Sequence, residues 1–246
     1  MAINVQKLSQ ILAGTYPEAV WTPEGLQWNG AKIPPDLLAL FWDNTGSVEG
    51  VAAAIRQDQA PLTDAERTRL WPHLLATATP LEADALVRPV VIPGFPVFAQ
   101  LVLTVESAEH WTVLAARRVP AGVDPADLWR EAEARLAAAI PLPTTVTTLP
   151  TGAVIVSWDD PAAADYAWAF AQRVDEAIVG IPASVFGAVI LDPTPTDVGV
   201  AFRWVSELYH RYQTEWPAAH PVAPMPLYLV HGALPSNPLA ALTPTR

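Results

Sequence analysis

The 246-residue chain reads as an α+β protein. The expected core is a mainly antiparallel sheet with helices packed on one face, in the order helix, three strands, helix, two strands, helix, preceded by a mostly helical N-terminal segment. Three observations predict it. Val/Leu-rich runs of strand length follow one another between residues 86 and 119 with only short breaks, and such connections imply antiparallel pairing because parallel strands need long crossovers. Helix-start signals bracket those runs: Thr63 with Glu66, Asp124 with Pro125, and Asp160 with Pro161. Half of the residues are hydrophobic, 51%, which at this length is enough to bury a sizeable core.

Taken in order, Ile3, Val5, Leu8, Ile11 and Leu12 fall on one helical stripe that Gly14 stops. Ala19–Trp21 and Leu26–Trp28 flank Thr-Pro-Glu-Gly, with Pro early and Gly late as a hairpin turn with a G1 bulge requires. Pro34 and Pro35 open a helix through Leu-Leu-Ala-Leu-Phe-Trp that ends near Asn44 and Gly46, and Val48–Arg56 is a further amphipathic helix. The capping box at Thr63 and Glu66 predicts a helix over Leu62–Thr77, kinked or broken at Pro72. Strands are expected at Leu86–Ile92, Val97–Val105 and Trp111–Val119, separated by Pro-Gly-Phe-Pro and Glu-Ser-Ala-Glu-His. The helix from Asp124 carries Leu128, Trp129, Ala132, Leu136 and Ile140 as its apolar stripe, and Val146–Leu149 with Ala153–Trp158 forms a second hairpin around Pro-Thr-Gly. From Asp160 a helix is expected with Tyr166, Phe170, Val174 and Ile178 on one face and Gly180 as its stop. Ser184–Leu191 is a strand, Val198–Tyr212 a helix and Pro226–Val230 a last strand. These elements divide into a helical segment with a hairpin at 1–80, an α+β domain at 81–232 and an aperiodic Pro-rich tail at 233–246, the boundary falling between Thr77 and Ala85.

Composition narrows the function. There is no Cys, which removes disulfides, thiolate catalysis and Cys-based metal centres and fits a reducing, cytoplasmic location. The N-terminus lacks the continuous apolar region of an export signal, and the apolar run Val87–Val105 is broken by Arg88, Pro89, Pro93, Gly94 and Pro96, so it is not a membrane helix. Net charge is −11, which opposes the phosphate-neutralising surface that supplies most nucleic-acid affinity. The ten Trp allow base stacking on a single strand, but large aromatics more commonly build cores and interfaces.

No Gly-rich phosphate loop, dinucleotide fingerprint or nucleophile elbow is present, and Lys7 and Lys32 are the only lysines. Asp159 and Asp160 sit where a strand gives way to a helix, a place for a general acid or a metal ligand, with His210 as a further candidate. The competing reading is that Asp160 caps the helix before Pro161. His210, Glu215 and His220 match no zinc spacing, and His73, His110 and His231 stand apart as surface or capping residues. No catalytic, cofactor or metal residue is therefore assigned.

The order of the segments, from the amphipathic helix and Trp hairpin through VVIPGFPVFAQLVLTV, VDPADLWREAEARL, DDPAAADYAWAF before GAVILD and VAFRWVSELYH before PLYLVHG, resembles the YtpQ-like family of uncharacterised bacterial proteins. At the level of element order the chain is similar to YbjN-like proteins and to the type III secretion chaperone fold, small acidic α+β proteins that commonly dimerise and bind other proteins. That resemblance implies a non-catalytic, chaperone-like or adaptor role. The absence of a visible active site, the ten Trp and the acidic balance lead to the same expectation, a cytoplasmic homodimer engaging a protein partner through an apolar or aromatic surface, with Trp111, Trp129 and Trp204 as partly exposed anchors. A hydrolase or metal-dependent enzyme using Asp159 and Asp160, and a single-stranded nucleic-acid-associated protein, are the alternatives.

Overall fold

The computed structural model describes residues 4–23, 25–79, 81, 84–91, 97–107 and 111–232. The Pro-Gly-Phe-Pro break, Glu24 of the first turn, His110 and the tail at 233–246 lie outside the described residues. The protein is α+β with antiparallel sheets, in two compact units, Met1–Leu62 and Thr63–Arg246. No helix among the described residues is long and apolar enough to cross a membrane.

In the first unit, α1 (Val5–Thr15) is capped by the Asn4 side chain, which accepts from Lys7 N–H. The antiparallel strands β1 (Ala19–Thr22), β2 (Gly25–Trp28) and β3 (Ala31–Ile33) follow, then α2 (Pro35–Thr45) and α3 (Val48–Gln59). The strand β3 has a sequence signal: Asn29-Gly30 takes positive φ at both positions, 47° and 83°, which is the two-residue hairpin turn. Leu8, Leu12, Leu26, Trp28, Leu38, Val51 and Ile55 fill the core. The Arg56 guanidinium lies over the Tyr16 and Trp28 rings and pairs with Glu18 at 2.6 Å.

The second unit opens with the expected capping box, but α4 is a single turn, Asp64–Arg67, and the chain runs into strand β4 (Leu70–Leu75). The helix expected through Thr77 is thus corrected. Leu70, Pro72 and Leu74 are buried while Trp71, His73 and Leu75 are half-buried, a two-residue period that a strand satisfies and a helix cannot. In the first sheet β4 and β5 (Val87–Val91) flank the long β6 (Val97–Glu106), and β7 (Trp111–Val113) pairs with the end of β6. The strand expected to reach Val119 ends at Val113 and gives way to a single 3-10 turn, Ala116–Arg118.

After α5 (Pro125–Ala139) come β8 (Thr145–Thr148), β9 (Val154–Asp159), α6 (Ala163–Ala171), β10 (Glu176–Ala183), β11 (Phe186–Leu191), α7 (Pro195–Thr214) and β12 (Leu227–Val230). The five strands order as β12-β10-β11-β9-β8. Here α6 stops earlier than the sequence reading, and Ile178 lies in β10, because the β-branched run of 176–183 pairs on both sides with β11 and β12. Pro182, which has no N–H to donate, falls where the β10–β11 register shifts.

The expectation of helices on one face changes in detail. Ala177, Val179 and Ile181 pack into the cluster built by α6, whereas the intervening Ile178 joins Ala201 and Val198 of α7 on the opposite face. Both helices approach the sheet closely. A Cβ on Gly187 would lie 2.5 Å from the Ala163 carbonyl oxygen and the Ala167 Cβ, and one on Gly180 would lie 2.5 Å from Val205 Cγ2. The α6 cluster also takes in Leu74, Val90 and Ala99 of the first sheet, so α6 lies between the two sheets.

Candidate functional site

Two regions of the second unit carry unusual chemistry: a buried polar cluster beside β4 and a half-exposed aromatic surface along α7. The cluster starts from Asp165, a lone carboxylate on the Ala- and aromatic-rich helix α6, which is 2% exposed. It accepts three hydrogen bonds: from Leu74 N–H at 2.8 Å, from Trp71 Nε1 at 3.2 Å and from His73 Nδ1 at 2.7 Å. The other ring nitrogen of His73 meets Glu106 Oε1 at 2.7 Å, and the Thr104 hydroxyl, 3.3 Å from that oxygen, donates its one hydrogen to the Trp71 carbonyl at 2.9 Å. Trp111 stacks on the imidazole with 5.1 Å between centroids, and Tyr166 sits edge-on to Trp71.

Burial opposes a charge on His73, but the Asp165 and Glu106 carboxylates outweigh it and hold its pKa up to about 9. At neutral pH the ring is therefore an imidazolium that donates from both nitrogens. It has no lone pair to serve as a base or a metal ligand. The cluster is a satisfied ion network that fastens α6 to the edge of β4, because Asp165 takes the backbone N–H that β4 turns away from β6.

Comparison with protein-family models, curated proteins and solved structures finds no match to this chain.

Of the sequence candidates, Asp160 does not cap α6, whose N-cap is Ala162 with no side-chain cap bond; it closes the turn ahead of the helix, its side chain accepting from Ala162 N–H at 2.9 Å and its carbonyl from Ala163 N–H. Asp159 closes β9 and pairs in register with Phe186. His210 is exposed near the end of α7. Among the described residues no group of three His, Cys, Asp or Glu side chains could hold a metal ion. A cleft of about 240 Å3 lined by Pro72, Leu101, Leu136, Trp168 and Arg173 has mostly apolar walls and gathers none of these candidates.

The three Trp anchors separate. Trp129 is corrected to a core residue, 4% exposed, with the Arg88 guanidinium 4.4 Å from its ring centroid. Trp111 is 41% exposed while packing on His73. Trp204 is half-buried against Phe186, at 5.8 Å and edge-on.

Sequence reasoning missed the more exposed aromatics. Phe202 and Trp216 are each 48% exposed, and Val200 is 41%. Phe202 and Tyr209 are seven residues apart, so they share one flank of α7. Trp216 follows the helix end, where it packs on Tyr212 at 5.8 Å with Arg211 over its face. The signal was in the sequence: Phe202 and Tyr209 lie to one side of the stripe through Ala201, Val205 and Leu208, which is wider than a single buried seam requires.

Proposed function

We propose that this protein is a non-catalytic, chaperone-like binding protein that holds a basic, apolar segment of a protein partner along the exposed flank of α7. The observation that carries the reading is the pair Phe202 and Trp216, both 48% exposed, on an acidic chain. Exposed aromatics that recur along a helix and just beyond its end mark interaction surfaces more often than a single exposed apolar residue does. The net charge of −11 steers basic partners toward the surface and disfavours acidic ones. The state of His73 agrees with a binding role, since a doubly bonded imidazolium is a poor proton acceptor.

An aggregation assay tests the reading, with reduced, unfolded lysozyme as the basic probe. The protein should suppress light scattering by the probe in a salt-sensitive manner, and the double variant Phe202→Ser/Trp216→Ser should lose most of that effect while keeping its circular dichroism spectrum. Equal suppression by the folded double variant, or none by the wild type, overturns the proposal.

A further inference from the structure

Strand β8 leaves one edge of the five-stranded sheet unpaired among the described residues, and we infer that a second copy of this chain closes it, β8 against β8, about a two-fold axis at Thr147. This surface is distinct from the flank of α7. All four residues Thr145–Thr148 are exposed, Val146 at 63%, and Leu142 just before them is 92% exposed. Leu149 N–H donates to the Ala153 carbonyl. By antiparallel alternation Thr147 and Thr145 then also bond inward to β9, and Val146 and Thr148 turn their backbone groups outward.

The edge strands β4 and β5 of the four-stranded sheet show what a protected edge looks like here. At β4 the outward N–H of Leu74 is taken by Asp165, and Pro72, on the same outward-facing register, has no N–H to offer. Strand β5 carries Arg88 and Pro89. Charge and Pro are the usual guards against strand addition, and β8 has neither. It also lies in the longest run without an ionisable side chain, residues 136–158. In a chain of net charge −11, two copies meet there with the least mutual repulsion.

The pairing is self-complementary. With the axis at Thr147, Val146 of each copy exchanges both backbone bonds with Thr148 of the other, and Thr147 faces its own counterpart in a non-hydrogen-bonded pair. Val–Thr and Thr–Thr neighbours are favourable cross-strand pairs. The two five-stranded sheets become one continuous antiparallel sheet. Four residues per copy make a short seam, so the dimer is concentration-dependent.

Sedimentation of the full chain, from dilute to concentrated solution, should show a shift from 26.5 kDa toward twice that mass. Val146→Pro removes the outward N–H and leaves the β9 ladder intact, so it should weaken association about tenfold or more with the circular dichroism spectrum unchanged. Because the chain has no Cys, Thr147→Cys supplies an independent readout. The facing Cα atoms would be about 4.5 Å apart, within disulfide reach, and mild oxidation should give a covalent dimer. A wild type that stays monomeric overturns the inference, as does a dimer that Val146→Pro leaves unchanged and Thr147→Cys fails to cross-link. A monomer whose Val146 and Thr148 amides are protected from exchange would assign the edge to another segment of the same chain.

Discussion

The edge strands β4 and β8 terminate the two sheets of one unit in opposite ways. At β4 the outward backbone is consumed by a side chain: Asp165 accepts from Leu74 N–H, and His73 links that carboxylate to Glu106. At β8 four exposed, uncharged residues form the edge, and Val146 and Thr148 offer their backbone groups to solvent or to another strand. The difference teaches that an edge is closed by what approaches it from a neighbouring element. Helix α6 brings a carboxylate to β4, and nothing comparable reaches β8 among the described residues.

The largest effect is expected from opening β4. Asp165→Ala leaves the His73 charge, the Trp71 N–H and the Leu74 N–H without their acceptor in a buried site, and should lower unfolding stability by about 3–5 kcal/mol, read from the urea midpoint. Raising the pH weakens the same seal. Folding raises the His73 pKa from its ordinary 6.5 to about 9, so the folded state binds the extra proton between those values. Its contribution, about 3 kcal/mol, is fully present below pH 6.5 and is lost as pH climbs through 9. Urea unfolding at several pH values should show this decline in the wild type and a flatter profile in His73→Phe, and NMR titration of the imidazole checks the value directly.

A smaller loss is expected when α6 is pushed from its place. Gly187→Ala sets a methyl 2.5 Å from the Ala163 carbonyl, and the shift it forces should cost about 1–3 kcal/mol. The smallest effect belongs to β8: Val146→Lys changes an exposed side chain and should leave monomer stability within about 0.5 kcal/mol, while its added charge disfavours association. A large loss of monomer stability in that variant would show that β8 is not the open edge the comparison describes.

Much of this contrast was legible in the chain and some was not. The hairpin of β8 and β9 follows from Pro150-Thr151-Gly152 between β-branched runs, and the start of α5 from Asp124-Pro125, because both signals are local. The α+β class follows from the same signals. Strand β4 was hidden behind the genuine capping box of α4: Thr63 and Glu66 do close a helical turn, but Glu66 also pairs with the buried Arg118, and the chain leaves the helix one turn later. Misplacing β4 also hid the cluster, since His73, Glu106 and Asp165 converge only when β4 pairs with β6 and α6 crosses its edge. A lone Asp in Ala-Ala-Asp-Tyr-Ala-Trp-Ala-Phe-Ala was the available hint, as a carboxylate on so apolar a helix needs buried donors. Trp129 was placed on the right helix and stripe, but the Arg88 guanidinium that lies over its ring comes from β5, a contact no local signal carries.

Amide hydrogen exchange at low and high protein concentration tests the contrast between the edges most directly. The account predicts that Leu74 exchanges slowly at every concentration, held by Asp165, whereas Val146 and Thr148 exchange quickly in dilute solution and slow down as concentration rises. Fast exchange at Leu74, or concentration-independent exchange at Val146 and Thr148, would contradict it.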